Sequence, residues 1–132
     1  MEKETLTPAN LPTWMRNLLM KMPFPAAVKG GGFVFVSGCT AFLDRKTEAL
    51  LEDIEAQTRE TLEVIKDTLE AAGSSLGKVV KVTVFLRNAE DFAKMNEVYS
   101  TFFPKDPPAR STIVTGLLLP QMLIEIECIA LV

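Results

Sequence analysis

Arg110 is the first candidate for chemistry, because it follows a rigid stretch and begins a strand-like run. The segment Pro107–Thr112 reads Pro-Pro-Ala-Arg-Ser-Thr, and its prolines restrict the backbone ahead of the arginine. A planar guanidinium approached in this way can grip a carboxylate through two parallel hydrogen bonds. A structural ion pair with a nearby acid explains the same residue equally well, so spacing alone leaves both interpretations open.

Glu125 and Glu127 are the second candidate, because they alternate with apolar residues near the C-terminus. The run Leu123–Cys128 predicts a strand that carries both carboxylates on one face. One of them could act as a general base or orient a water molecule. Two solvated or salt-bridged acids at a sheet edge are the simpler interpretation, and the residues alone favour it.

Ser37, Gly38 and Cys39 end a β-rich run and form a third, weaker candidate. Gly38 would let a ligand approach the backbone closely, although the sequence is not that of a phosphate-binding loop. No local base would stabilise a thiolate, so Cys39 and Cys128 are predicted to be small buried residues. Asn96 falls on a predicted helix, where packing or capping is the expected role.

The composition excludes several classes of site. The chain has 132 residues and no histidine, which excludes Ser-His-Asp triads, Cys-His dyads and histidine-bound zinc. Its two cysteines lie far apart, so we predict no thiolate metal cage, no metal and no cofactor. The 14 basic and 17 acidic residues give a net charge of −3, which argues against nucleic acid as a partner.

The expected location is cytoplasmic, with a mitochondrial location as the alternative. No stretch reaches the roughly 18 to 20 apolar residues that a membrane helix needs. The acidic start at Glu2–Glu4 is unlike a secretory signal or a mitochondrial presequence. We therefore predict no membrane partner and reduced cysteines.

The hydrophobic pattern predicts the element order ββαβαββ, which is a two-layer α+β domain. The predicted strands share β-rich or alternating sequence and cover 24–28, 33–37, 79–86, 110–115 and 123–132. Pro23 and Pro25 mark the first of them as an edge strand. Helical periodicity runs from about 50 to 72, and Asn88 with Asp91 predicts an imperfect capping box at the start of a second helix.

Two further features bear on assembly. Residues 1–22 form an N-terminal arm ahead of the domain at 23–132, and apolar spacing in the arm predicts an amphipathic helix of about three turns. We expect it to pack on its own domain or on a neighbouring subunit. The second face of the sheet would keep Phe33, Phe35 and Ile129, so the pattern favours a homo-oligomer.

Two motifs lie at a specific mutual spacing, Pro-Ala-Arg-Ser at 108–111 and Ile-Glu-Ile-Glu at 124–127. Supporting segments lie at 36–38, 53–58, 69–76, 79–86, 91–93, 96–99, 119–120 and 128–130. Together they resemble the YjgF/Rid family of reactive intermediate deaminases, which act on enamines and imines. The resemblance extends from about residue 23 to the C-terminus.

The resemblance implies a chorismate-mutase-like fold, a homotrimer around a central β-barrel, and one ligand cleft at each subunit interface. It implies that a small carboxylate, a 2-imino acid such as 2-iminobutanoate or 2-iminopropanoate, is hydrolysed to a 2-oxo acid and ammonia. Arg110 matches the arginine that clamps the substrate carboxylate, and Glu125 matches the glutamate that positions the attacking water. Ser37–Gly38 matches the backbone that lines the pocket, and Asn96 matches an asparagine near the cleft.

Three positions of the cleft depart from the family pattern. Phe24 replaces a common tyrosine, Cys39 a usual glutamine and Thr112 a frequent cysteine. The loss of the phenol makes the pocket more apolar, so a larger or more hydrophobic 2-imino acid is one expected substrate. The alternatives are an enzyme of this fold with another reaction on a carboxylated substrate, and a non-catalytic trimer that binds a metabolite or a protein.

Overall fold

Strands and helices alternate through most of the chain, of which the computed structural model describes residues 2–132. The strands are Glu4–Leu6 (β1), Ala27–Gly30 (β2), Phe33–Cys39 (β3), Val79–Leu86 (β4), Ala109–Val114 (β5) and Ile124–Leu131 (β6). The helices are Thr13–Leu19 (α1), Ile54–Ala71 (α2) and Phe92–Phe102 (α3). From β2 onwards the order is ββαβαββ, so the predicted α+β architecture is confirmed.

The strands form one mixed sheet in the order β1-β2-β3-β6-β4-β5. Neighbouring strands are antiparallel except for β4 and β5, which are parallel. The parallel pair requires a crossover, and α3 supplies it. Strand β6 lies between β3 and β4, so the C-terminal strand joins the two halves of the sheet.

Helix α2 begins later than the periodicity predicts. Its N-cap is Asp53, whose carboxylate accepts a hydrogen bond from the backbone N–H of Ala56 at 2.7 Å. Ahead of this cap, Leu50 pairs with Leu43 in an isolated β-bridge, so the predicted first turn is extended chain. The helix ends before Gly73, whose φ of +85° is the conformation that favours glycine after a helix.

The prediction of an edge strand at 24–28 is wrong. Strand β2 begins at Ala27, because Pro23 and Pro25 cannot donate ladder hydrogen bonds. It is not the edge of the sheet either, since β1 pairs with it, with Leu6 opposite Ala27. The edge strand is therefore formed by the N-terminal arm.

The predicted capping box at Asn88 is also absent. A 3-10 turn occupies Ala89–Asp91, and α3 starts only at Phe92. Neither Asn88 nor Asp91 makes a side-chain capping hydrogen bond to the backbone of these turns. The tighter turn shifts the register of the helix start, so the two side chains do not lie over the free N–H groups.

Helix α1 is shorter than predicted, with seven residues, or about two turns. The arm packs on its own domain. Leu11 and Met15 are buried in a small cluster with Ala26, Ala41 and Val64. This cluster is separate from the main core, which fills the space between the sheet and helices α2 and α3.

The opposite face of the sheet remains open. Phe33 and Phe35 are 38% and 45% exposed, and Ile129, which pairs with Phe35, is half-buried. The predicted exposure of Phe33 and Phe35 on this face is thus confirmed, and Lys81, Thr83 and Glu127 lie on the same face. Within residues 2–132, no helix is long and apolar enough to cross a membrane.

Candidate functional site

Arg110 lies near the start of β5 and faces helix α3. Its Nη2 donates a hydrogen bond to Oδ1 of Asn96 at 2.7 Å. The guanidinium carbon lies 4.6 Å from the ring centre of Tyr99 and 5.7 Å from that of Phe92. Both rings attract the cation and fix its plane. Among residues 2–132, only Asn96 accepts from this guanidinium, so its other N–H groups are available to a carboxylate.

The aromatic support of Arg110 is a feature that the sequence reasoning missed. Phe92, Asn96 and Tyr99 follow one another at intervals of four and three, which places them on one face of α3. This spacing is the pattern in the sequence that could have predicted a shared face for the three residues. Burial raises the pKa of Tyr99, and the neighbouring Arg110 offsets part of the effect, so the phenol stays neutral at neutral pH.

Glu125 lies on β6 beside Gly38 of β3. A Cβ atom at position 38 would lie only 2.6 Å from Oε2 of Glu125, so the carboxylate occupies space that only glycine leaves free. Burial raises the pKa of Glu125, and the nearby Glu127 adds to the effect. When ionised, Glu125 is therefore a stronger base than a solvated glutamate.

Arg110 and Glu125 point to opposite faces of the sheet. In the register of the sheet, Arg110 pairs with Val82 of β4, and Glu125 pairs with Phe85 of the same strand. Residues three apart along a strand point to opposite faces. One protomer therefore carries two separate half-sites. Thr112 pairs with Val84 and shares the face of Arg110.

The half-site of Glu125 opens into a cavity of about 190 Å³. Phe24, Ser37, Gly38, Cys39 and Glu125 all contribute to its lining, so five of the predicted site residues lie together. Ser37 Oγ donates to the carbonyl of Pro25 at 2.8 Å, which fixes the segment of Phe24 against β3.

The two cysteines are unsuited to nucleophilic chemistry. Burial raises the pKa of Cys39 and raises that of Cys128 to about 12, so both stay protonated thiols at neutral pH. Cys39 contributes its surface to the cavity rather than a thiolate. Between residues 2 and 132, no group of three or more cysteine, aspartate or glutamate side chains is placed to hold a metal ion.

The amino-acid sequence is similar to those of known proteins. The family profile described as Endoribonuclease L-PSP matches residues 16–132. A RutC family protein of Pyrococcus horikoshii is 47% identical over 108 residues, which cover 82% of this chain and 86% of that protein. The chain belongs to the YjgF/RutC/Rid family. The resemblance inferred from the two motifs is confirmed.

Other members of the family extend the comparison. The protein named mmf2, mitochondrial, of Schizosaccharomyces pombe is 46% identical over 111 residues, which cover 82% of this chain and 86% of that protein. The crystal structure of the YjgF gene product from E. coli has a TM-score of 0.84 at 34% identity, covering 97% of this chain and 98% of that one. RidA from the Antarctic bacterium Psychrobacter has a TM-score of 0.84 at 33% identity, covering 98% and 99%.

Proposed function

We propose that this Rid-family protein hydrolyses 2-imino acids to 2-oxo acids and ammonia. The observation that supports this most is the pair of half-sites. One presents the guanidinium of Arg110, which has free N–H donors and lies over an aromatic floor formed by the rings of Phe92 and Tyr99. The other presents a half-buried carboxylate with a raised pKa, at Glu125. A carboxylated electrophile and a water molecule are the ligands that these two groups suit.

The roles of the two groups follow from the chemistry of the imine. Arg110 binds the substrate carboxylate, and Glu125 accepts a hydrogen bond from a water molecule near C2. The water oxygen attacks C2, the electron pair of the C=N bond moves to nitrogen, and a water proton passes through Glu125 to that nitrogen. Glu125 then carries the hydroxyl proton to the amino nitrogen, the electron pair left on oxygen forms the C=O bond, the C–N bond breaks with its pair moving to nitrogen, and ammonia leaves. Since an imine carbon is already electrophilic, orientation supplies most of the acceleration.

The cleft in this proposal forms between two copies of the chain. Arg110 and Glu125 face away from each other in one protomer. A complete site therefore needs Arg110 of one protomer and Glu125 of its neighbour. A homotrimer built around the open sheet face would bury Phe33 and Phe35 in a central barrel and form three equivalent clefts. Asn96 and Thr112 would then accompany Arg110, while Phe24, Ser37, Gly38 and Cys39 accompany Glu125.

A coupled assay tests the activity. A pyridoxal-phosphate-dependent dehydratase generates 2-iminobutanoate, and the appearance of 2-oxobutanoate is followed with and without the protein. We expect acceleration that Arg110→Ala reduces by roughly 30-fold or more, because an Arg–carboxylate pair contributes about 2–5 kcal/mol. Arg59→Ala, an exposed arginine on α2, is the matched control and should retain the wild-type rate. Full activity of Arg110→Ala would contradict its assigned role.

Mixing two inactive variants tests the shared cleft. Arg110→Ala keeps Glu125, and Glu125→Gln keeps Arg110. After refolding of an equimolar mixture, random trimers regain intact clefts at about one quarter of the interfaces. Activity of about one quarter of wild type is therefore expected. No recovery, from trimers shown by mass to be mixed, would contradict a site that two protomers share.

The family description names an endoribonuclease, and the same preparation should be tested on RNA. The net charge of −3 and the small apolar cavity favour a small carboxylate over a polyanion. RNA cleavage that is lost in Glu125→Gln would favour the ribonuclease activity. Binding of a 2-oxo acid without any turnover would favour the non-catalytic alternative.

We also propose a cytoplasmic location. Imaging of a C-terminal fluorescent fusion tests it. Mitochondrial signal, as the name of the Schizosaccharomyces pombe relative describes for that protein, would overturn it.

A further inference from the structure

The cavity beside Glu125 extends away from the polar groups into a space enclosed by helix α1. We propose that this space binds the substrate's side chain, and that α1 makes the protein selective for 2-imino acids with branched aliphatic or aromatic side chains. The inference rests on the proposed function, since it names the substrate class of the same site. Its physical basis is the lining, the size and the position of the cavity.

The lining is apolar on three sides. Helix α1 contributes one wall and α2 another, while the end of β3 provides the third. The residues that α1 contributes are Trp14, Met15, Leu18 and Leu19. From α2 come Val64, Ile65 and Thr68. An apolar side chain entering this space would leave water and gain roughly 25 cal/mol for each Å² buried.

Pairing in the sheet explains why the cavity exists. Strand β2 pairs with β3 only from Phe33 to Val36, and one more backbone bond joins Ser37 N to the carbonyl of Ala26. Beyond this point, β2 no longer covers the edge of β3 at Gly38 and Cys39. The arm fills only part of the gap, and the remainder is the cavity.

The size of the cavity selects for larger side chains. A dry apolar cavity of roughly 150 Å³ is enough to bind benzene, and this cavity measures about 190 Å³. A methyl or ethyl group would leave most of the space unfilled. A branched four-carbon or a benzyl group fills it far better, so the gain in binding is larger for those substrates.

The position of the cavity links binding of the substrate's side chain to the carboxylate of Glu125. Glu125 and Gly38 are part of the same lining as Leu18. A substrate whose C2 faces the carboxylate of Glu125 can therefore extend its side chain towards α1. This arrangement leaves the substrate carboxylate free to meet Arg110 of a neighbouring copy.

Leu18 is the residue to change, because it lines the cavity and yet is 44% exposed. Its truncation removes contacts to a bound side chain without opening the main core. Met20 is the matched control. It follows directly after α1, is 72% exposed and is outside the lining.

Trp14 provides a binding assay that does not depend on turnover. It is the single tryptophan of the chain and lines the cavity, so its fluorescence reports occupancy. We would titrate the protein with 4-methyl-2-oxopentanoate and with pyruvate, the oxo acids that correspond to a large and a small 2-imino acid. We expect roughly tenfold or greater preference for the larger acid, since even a single methylene in an apolar pocket gives about 10-fold or more.

The variants then decide the role of α1. Leu18→Ala should weaken binding of the larger acid by roughly tenfold and leave the affinity for pyruvate unchanged. Met20→Ala should bind both acids with wild-type affinity. Equal affinity for the two acids, or an effect of Met20→Ala equal to that of Leu18→Ala, would overturn the inference.

The coupled assay separates this inference from the proposed function. Arg110-dependent hydrolysis of 2-iminobutanoate with equal affinity for both oxo acids would uphold the function and overturn the side-chain pocket. A clear preference for the larger acid without hydrolysis of any imine would uphold the pocket and overturn the function.

Discussion

The substitution Gly38→Ala should displace the carboxylate of Glu125 with little effect on the stability of the fold. A Cβ at residue 38 lies 2.6 Å from Oε2 and 3.1 Å from Cδ of Glu125, and ordinary contact begins at about 3.4 Å. The carboxylate must therefore withdraw by about 0.8 Å. Since Gly38 is not among the residues with positive φ, the alanine backbone is unstrained.

The expected result is a loss of rate with little loss of stability. A displacement near 1 Å of a group that positions a reactant can reduce the rate by about 100-fold, so we expect kcat/KM to fall by roughly 10- to 100-fold. The free energy of unfolding should stay within about 1 kcal/mol of wild type, because the atom that must move ends a flexible side chain and alanine lowers the entropy of the unfolded chain.

The measurement compares imine hydrolysis and urea unfolding for Gly38→Ala and for a control, Gly30→Ala. Gly30 also lies in a strand, and a Cβ there meets nothing within 4 Å. The control should therefore keep its rate. If Gly38→Ala hydrolyses imines as fast as Gly30→Ala, the carboxylate beside Gly38 does not hold the reacting water, and the reasoning fails.

Three further predictions concern the surroundings of the site. Burial raises the pKa of Glu125 in the folded state above the unfolded value of 4.5. Ionisation of this carboxyl therefore opposes folding above pH 4.5. Glu125→Gln should be more stable than wild type at pH 7, and the difference in stability should shrink as the pH falls towards 4.5. A less stable variant at pH 7 would contradict this. Asn96→Ala frees the guanidinium of Arg110 and should raise KM by roughly tenfold with kcat nearly unchanged. Buried Gln57 makes three hydrogen bonds to the backbone of Leu51, Gln121 and Leu123. Gln57→Leu should therefore lower the unfolding free energy in urea by about 2–4 kcal/mol, and a change under about 0.5 kcal/mol would refute that role.

Local patterns in the amino-acid sequence determined much of the fold. The alternation at 79–86 and 124–131 and the periodicity of α2 predicted these elements, because the period of apolar residues reports directly which face is buried. The motifs around Arg110 and Glu125 predicted the family. Errors fell at element ends, at Leu50 and Asn88, where a cap or a 3-10 turn depends on the geometry of a few backbone groups.

Tertiary structure decided how the candidate residues are arranged. The aromatic floor under Arg110 depends on the packing of α3 against β5, and neither element specifies that contact alone. Arg110 and Glu125 point to opposite faces because of the register in which β5 and β6 pair with β4. Pairing between strands that are distant in sequence sets that register. The cavity exists because β2 stops before Gly38 and α1 folds over the gap. Sequence periodicity is local, whereas these features depend on contacts between distant segments, so only the folded chain fixes them.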